Sequence, residues 1–322
     1  MIKKLLFILC VIGFIKSYSQ LQKLKGEWIL DRIVKSDGKN LEINDPRYSM
    51  FLFYNIAPNV VSVHDTKFKA TFNHNTINLE NRTFKYWFED DYLLLQEGEE
   101  VSLLLKPEVF IKKHPEFKPK IEIRNNDSLL IANKIIHPIF NNEKSFDFFL
   151  LQFMEEENLR DINDLYFKSE YVLTKDNKIT NIQVLDKLTP SYETKFIQAL
   201  KKAEKHFQNP YGINMLVTHE THLSKLYNNL SYKSDKKLFD IIREGTKYFN
   251  ENKFEDAIEE FSKLDELQIK DNRFIMRFHE GYTKLGISYL AVGKKDQACM
   301  NFKKVGNITD FQVRNFLIDF CK

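Results

Sequence analysis

The nearest approach to a reactive cluster in this chain is His219, Glu220, Thr221 and His222. A helical zinc site of the H-E-x-x-H kind needs its two histidines four positions apart, so that both imidazoles share one face. Here they are three apart and follow a β-rich run. On a strand that spacing sends His219 and His222 to opposite faces. They are expected to be polar residues at a strand end, with no metal bound. The adjacent acids Glu155-Glu156-Glu157 and Asp90-Asp91 also fall short, because paired-carboxylate catalysis needs two carboxyls about 5–9.5 Å apart across a cleft. Both runs read as solvated surface. No Gly-rich phosphate loop, G-x-S-x-G or C-x-x-C occurs. The chain is therefore expected to be non-enzymatic and to use no cofactor.

Charge narrows the partners. The 48 Lys and Arg exceed the 45 Asp and Glu by three. That excess is Lys3, Lys4 and Lys16, in a first segment that has no acid. Lys3-Lys4, the apolar run Leu5 to Ile15 and the small residues around Ser17-Tyr18-Ser19 have the layout of a secretory signal over residues 1–19. The run is too short for the roughly 20 apolar residues that span a bilayer, so no stable transmembrane segment is expected. Cys10 lies inside the run behind the large Leu9, which is not the setting of a lipidated cysteine. A chain starting at Gln20 is neutral and offers no general field to nucleic acid. Cys299 and Cys321 remain, and an oxidising compartment permits a bond between them. On straight antiparallel helices their heights would differ by about 9 Å. A bridge then requires a bend or a frayed end in the last helix.

The elements that would position any site fall into three patterns, which predict a multi-domain α+β protein. From Leu21 to about Lys106 the period is two. Trp28-Ile29-Leu30, Met50 to Tyr54, Val60 to Val63, Phe68 to Phe72, Thr76 to Leu79 and Phe84 to Phe88 are short β-rich runs separated by turn chemistry such as Asp37-Gly38. Strands at about ten-residue spacing predict a small antiparallel β-barrel or sandwich over 20–105. The opening Gly26-Glu27-Trp28 resembles the lipocalin-like domains of secreted bacterial proteins. That resemblance implies that Trp28 plugs the closed end of a barrel. With 28 Phe in the chain, a filled interior is favoured over a ligand cavity. Residues 106–137, with Pro107, Pro115 and Pro119, read as a connector in which Ile121-Glu122-Ile123 and Leu129-Leu130-Ile131 form an edge strand or small hairpin.

From Pro138 to about 225 the pattern is α+β. A helix is predicted over Ser145 to Glu156, with Phe146, Phe149, Leu150 and Phe153 on one face. Strands follow over Phe167 to Leu173 and Ile179 to Leu185, with a turn at Asp176-Asn177. A second helix, Ser191 to His206, carries the stripe Tyr192, Phe196, Ala199, Leu200 and Ala203. A third strand covers Ile213 to Thr218. This order, with Pro138-Ile139-Phe140, Lys175 to Ile179, Phe207 to Pro210 and Gly212 to Thr218, resembles the C-terminal domain of TonB, the energy-transducing periplasmic protein. Asn177 stands for the family's turn glycine, Phe207 for its tryptophan, and Phe196 for a small residue. The family's membrane helix and proline-rich spacer have no counterpart here. The resemblance implies a sheet edge, Ile213, Met215 and Val217, that takes an extended peptide.

From about Asp235 to 322 the chain is helical and repeats. Gly245, Tyr248, Ala257 and Phe261 recur as Gly286, Tyr289, Ala298 and Phe302, each 41 residues on. These spacings resemble the tetratricopeptide (TPR) repeat, in which a glycine and an alanine let paired helices approach. Asn252 with Glu255 and Thr309 with Gln312 read as capping boxes, and Thr309 to Phe320 as a capping helix. Two repeats cannot bury their own ends, so the pair is expected to lean on the preceding α+β portion. The resemblance implies a peptide groove lined by Tyr248, Asn252, Tyr282 and Tyr289.

Together these readings predict an adaptor of the Gram-negative cell envelope, periplasmic or envelope-associated, that binds a protein or peptide partner. The alternative is a carrier of a small apolar ligand in the N-terminal barrel.

Overall fold

The structure is a computed structural model that describes residues 22–64, 66–154, 166–222, 230, 232–269 and 272–321. The signal at 1–19 and the run Glu155 to Glu157 lie outside the described residues. The chain divides between Glu116 and Phe117 into two compact units.

In the first unit eight antiparallel strands close into a barrel. They are β1 (Gly26–Lys35), β2 (Phe53–Ala57), β3 (Val60–Val63), β4 (Thr66–Phe72), β5 (Thr76–Leu79), β6 (Arg82–Glu89), β7 (Tyr92–Glu97) and β8 (Glu100–Leu105). They neighbour one another in chain order, and β8 returns to β1. Closure removes the exposed edges that an open meander would leave. One side of each strand supplies the core: Trp28 and Leu30, Tyr54 and Ile56, Ile77 and Leu79, Leu93 and Leu95 pack together with Tyr86 and Leu104. Burial pushes the Tyr54 phenol up to about 12. Asp90, in the tight β6–β7 turn, adopts a positive φ of 50° and is exposed.

The Gly-x-Trp opening has a local cause. Trp28 is buried and donates its indole N–H to the Leu24 carbonyl at 2.7 Å. The Lys106 ammonium lies 4.1 Å from the indole centre and donates to the Lys25 carbonyl at 2.5 Å. Gly26 has φ +102°, and a β-carbon there would stand 3.1 Å from Lys106 Nζ. A side chain at position 26 would be strained by its backbone and would crowd the cation over Trp28.

Helix α1 (Pro107–Lys113) follows β8, and its Phe110 is fully buried, as are Ile29 and Leu105. Beside it β1 carries a bulge between Leu30 and Arg32. The bulged residue, Asp31, is buried and accepts from the Tyr92 hydroxyl at 2.9 Å. Its other oxygen lies 2.9 Å from His114 Nε2. Bulges re-aim side chains in this way.

The second unit begins inside what the sequence reads as a connector. Strands β9 (Ile121–Arg124) and β10 (Asp127–Ile131) form a hairpin around Asn125-Asn126, whose φ values of 50° and 68° suit a primed turn. The short β11 (Ile139–Phe140) pairs with β14 (Phe207–Gln208). Helix α2 (Phe146–Met154), β12 (Tyr166–Leu173), β13 (Ile179–Asp186), α3 (Pro190–Ala203) and β15 (Met215–His222) complete the α+β portion. Thr189 caps α3 by accepting from the Tyr192 N–H, with Pro190 in the first turn. All five residues of the predicted stripe, Tyr192, Phe196, Ala199, Leu200 and Ala203, are buried. The sheet order is β13-β12-β15-β10-β9, and only β10 with β15 is parallel. Asn177 takes the left-handed turn position at φ 63°.

Among the described residues five α-helices follow: α4 (Lys233–Asn250), α5 (Phe254–Ser262), α6 (Ile275–Ala291), α7 (Lys295–Val305) and α8 (Phe311–Phe320). They belong to the same compact unit as the sheet. Phe117 stacks near Phe311 at 5.1 Å between ring centres, which ties α8 to the chain before β9. Both α4 and α6 end in the same way. Tyr248 accepts the N–H of Lys253 and Tyr289 that of Lys294, while Asn252 (φ 56°) and Gly293 (φ 74°) hold the left-handed position. This is a Schellman ending. Asn252 therefore holds a turn position, and Lys253 stands at the N-cap of α5. The last helix is capped by Asp310, which accepts from the Gln312 N–H, and Thr309 instead bonds Asn307. Cys299 and Cys321 are bonded, with Cα atoms 5.6 Å apart. Cys321 follows the last turn of α8, which supplies the released end that the height difference requires.

Candidate functional site

The strand expected to offer a free edge is an interior strand over its first part. Leu130 and Ile131 of β10 lie beside Met215 and Leu216, and β12 pairs along the other side from Leu173/Met215 to Tyr166/His222. Met215 is fully buried between its two neighbours. Ile213 precedes the strand, and its carbonyl accepts from Asn209 Nδ2 at 2.8 Å. The free edge predicted for Ile213 and Met215 is thus corrected. The reason is the β9–β10 hairpin, which brings its own strand to that side.

The ladder to β10 is short. Its last bond runs from the Ala132 N–H to the Leu216 carbonyl at 2.9 Å. Backbone groups alternate sides along a strand. Those of Thr218 and Glu220 therefore point to the same side as the Leu216 carbonyl, past the end of β10. Among the described residues, Val217 to His222 pair in the sheet with β12 alone. Both outer strands are guarded. The β12–β13 register shifts twice, and Asn181 of β13 has φ 51°, so that edge is bent by bulges. Strand β9 is only four residues long, which limits the edge it offers.

The open half of β15 has two chemically distinct faces. On the helix side His219 is partly buried, stacks on Phe196 at 5.3 Å and meets Phe146 edge-on. Its Nε2 lies 3.0 Å from the Thr221 hydroxyl. Asp147 is 3.9 Å from Nδ1, beyond hydrogen-bond reach. Burial holds this imidazole below the usual histidine range, against the pull of Asp147 and Glu220. Ser169, directly across from His219, is fully buried and leaves room beside the large Phe196 ring. On the other face His222 packs on Tyr166 at 5.0 Å, and Glu220 pairs with Lys168 at 3.0 Å. The two histidines face opposite ways, as their spacing requires. No group of three metal-ligating side chains occurs among the described residues.

The helical hairpins place the other predicted site residues less favourably. The Tyr282 hydroxyl donates to Asp265 at 2.8 Å, and Lys304 lies over its ring while pairing with the same carboxylate. Burial and Asp265 together push this phenol up. Tyr282 is thereby committed to a cluster with residues from the ends of two neighbouring helical segments, and Asn252 to its turn. Tyr248 and Tyr289 occupy equivalent, half-buried places. Neither the Asp31 cluster of the barrel nor the half-open β15 was anticipated from the sequence. The Asn125-Asn126 turn flanked by Ile-Glu-Ile-Arg was the available signal for the hairpin that makes β15 interior.

Comparison with protein-family models, with curated proteins and with solved structures gives no match to this chain. Among the described residues no helix is long and apolar enough to cross a membrane.

Proposed function

We propose that this protein is a non-enzymatic, extracytoplasmic adaptor of the bacterial envelope that captures an extended segment of a protein partner. The observation that carries the reading is the end of the β10 ladder at Leu216. Beyond it, Thr218 and Glu220 turn backbone donors and acceptors to a side that no described strand occupies. An extended peptide laid there would continue the row of β10. Backbone bonds would give the affinity, and contacts with Thr218, Glu220 and His222 the selectivity. The signal-like first segment and the resemblance of 138–225 to the TonB C-terminal domain support an envelope location. Tyr248 and Tyr289 are the candidates for a second contact on the helical hairpins. The packed barrel core favours this reading over the carrier of an apolar ligand.

The test is a pull-down from envelope extract with the chain from Gln20 and with Glu220→Pro. Proline removes one donor from the open side and leaves the N–H groups facing β12 in place. The proposal expects a partner retained by the parent chain and lost from the variant, with circular dichroism unchanged. Equal retention by both would sink it.

A further inference from the structure

The barrel closes completely in its strand order, yet one part of its wall is incomplete. The β5–β6 ladder runs only from Leu79/Arg82 to Thr76/Lys85. One further bond joins the Tyr86 N–H to the Asn75 carbonyl at 2.8 Å. Two residues on, Phe88 turns its own N–H and carbonyl to that same side, where β5 has ended. A cleft of about 440 Å³ opens at this place, lined by His74, Asn75, Lys85, Trp87, Phe88 and Gln96, together with Tyr86. That volume falls within the range of small-molecule sites, roughly 300–1,000 Å³.

The lining has a definite chemistry. Lys85 and Trp87 lie two apart on β6, so both point outward from the barrel, and Gln96 stands directly across from Lys85. Trp87 is 37% exposed, which leaves much of the indole open to a ligand. No acid lines the cleft, and among the described residues Lys85 makes no ion pair. An aromatic plate, an uncompensated ammonium, an amide and a bare backbone donor therefore converge on one space.

The geometry points to a binding site for a small carboxylate that carries a flat apolar face. The face lies on Trp87, and the carboxylate is held by Lys85 with a hydrogen bond from the Phe88 N–H or from the second amide hydrogen of Gln96, whose Nε2 also donates to the Gly98 carbonyl at 3.1 Å. Two sources share this chemistry, aromatic acids and sugar acids. The site is independent of the strand addition proposed above.

The chain has two tryptophans, so an amide spectrum shows two indole N–H signals. Trp28, buried and bonded to Leu24, is the internal control. Titration of the ¹⁵N-labelled chain with indole-3-acetate, with glucuronate and with the neutral indole-3-acetamide tests the assignment. The expected result is a saturable shift of the Trp87 signal with at least one acid and weaker binding of the amide. Lys85→Met should weaken the acid about fivefold, as for a half-exposed ion pair, and Trp87→Ala should abolish saturation. Because both side chains point outward, the Trp28 signal should hold its place in each variant. Saturation by indole-3-acetate alone assigns aromatic acids, and by glucuronate alone sugar acids. Equal binding of the amide, the absence of any saturable shift up to 20 mM (roughly the weakest range of interest), or a Trp28 shift in place of Trp87 would overturn the proposal.

Discussion

Gly286 faces the ring of Phe302 so closely that a β-carbon on it would lie 2.4 Å from Cε1. The earlier hairpin repeats the relation, with a β-carbon on Gly245 falling 2.6 Å from Phe261 Cε1. In both, a fully buried alanine, Ala298 or Ala257, sits one turn before the phenylalanine on the facing helix. Helix propensity alone would favour alanine at either glycine by about 1 kcal/mol. Overpacking should win, because the ring is held by its neighbours, and Phe302 stacks on Phe316 at 4.8 Å. Gly286→Ala is expected to destabilise by about 1–3 kcal/mol in urea unfolding. A stabilised variant would mean that α6 and α7 do not approach as described.

The bond between Cys299 and Cys321 closes a loop with a sequence separation of 22. Chain-entropy reasoning assigns such a closure about 3 kcal/mol. Cys299→Ser, or reduction under native conditions, is expected to lower the melting temperature and to raise hydrogen exchange in α8 first. Free-thiol titration of the denatured, unreduced chain should find neither cysteine reactive. Two reactive thiols in the chain from Gln20, produced under oxidising conditions, would contradict the pairing.

Acid should loosen the second unit before the carboxylates titrate. Burial holds His219, His222 and His279 below the usual histidine range. A histidine with a lowered folded pKa takes up its proton more readily when unfolded. Its contribution is therefore fully present above about pH 6.5, the unfolded value, and is lost as the pH falls below it. Melting temperature should drop between pH 7.5 and 5, and His219→Phe should flatten the slope. A melting temperature that rises over this range would refute the assignment.

Asp31 links two distant positions, Tyr92 on β7 and His114 after α1. Asp31→Ala removes the acceptor shared by Tyr92 and His114 from a buried site, at a cost of about 1–3 kcal/mol. The expected signature is faster hydrogen exchange in Pro107–Lys113, with the strands unchanged. Unaltered protection of α1 would show that Phe110 packing alone secures it.

Much of this architecture is written locally in the chain. Alternation from Trp28 to Phe88 carries six of the eight barrel strands, β7 and β8 lying beyond it, and the stripe from Tyr192 to Ala203 carries α3. The paired Gly245/Phe261 and Gly286/Phe302 spacings carry the helical hairpins, because close approach demands particular residues at fixed separations. The failures share a physical reason. Whether β10 stands beside Met215 is decided by tertiary pairing of segments far apart in sequence, for which no periodicity exists. Asn252 and Thr309 each offered two local roles, and the competing turn bonds decided between them. The Asp31–Tyr92–His114 cluster depends on one bulge, which leaves no mark in hydrophobic spacing. The candidate edge was legible as a strand but not as a strand half covered.

The parallel pairing of Leu130 with Met215 also orders the events of synthesis. The Asn125-Asn126 hairpin needs only local contacts, but its place in the sheet stays vacant until Met215 and Leu216 are present. The middle strand arrives last and must slide between two partners already waiting. A chain ending short of Met215 would carry β10 and β12 with bare facing edges, and unpaired edges of that kind template association with other chains.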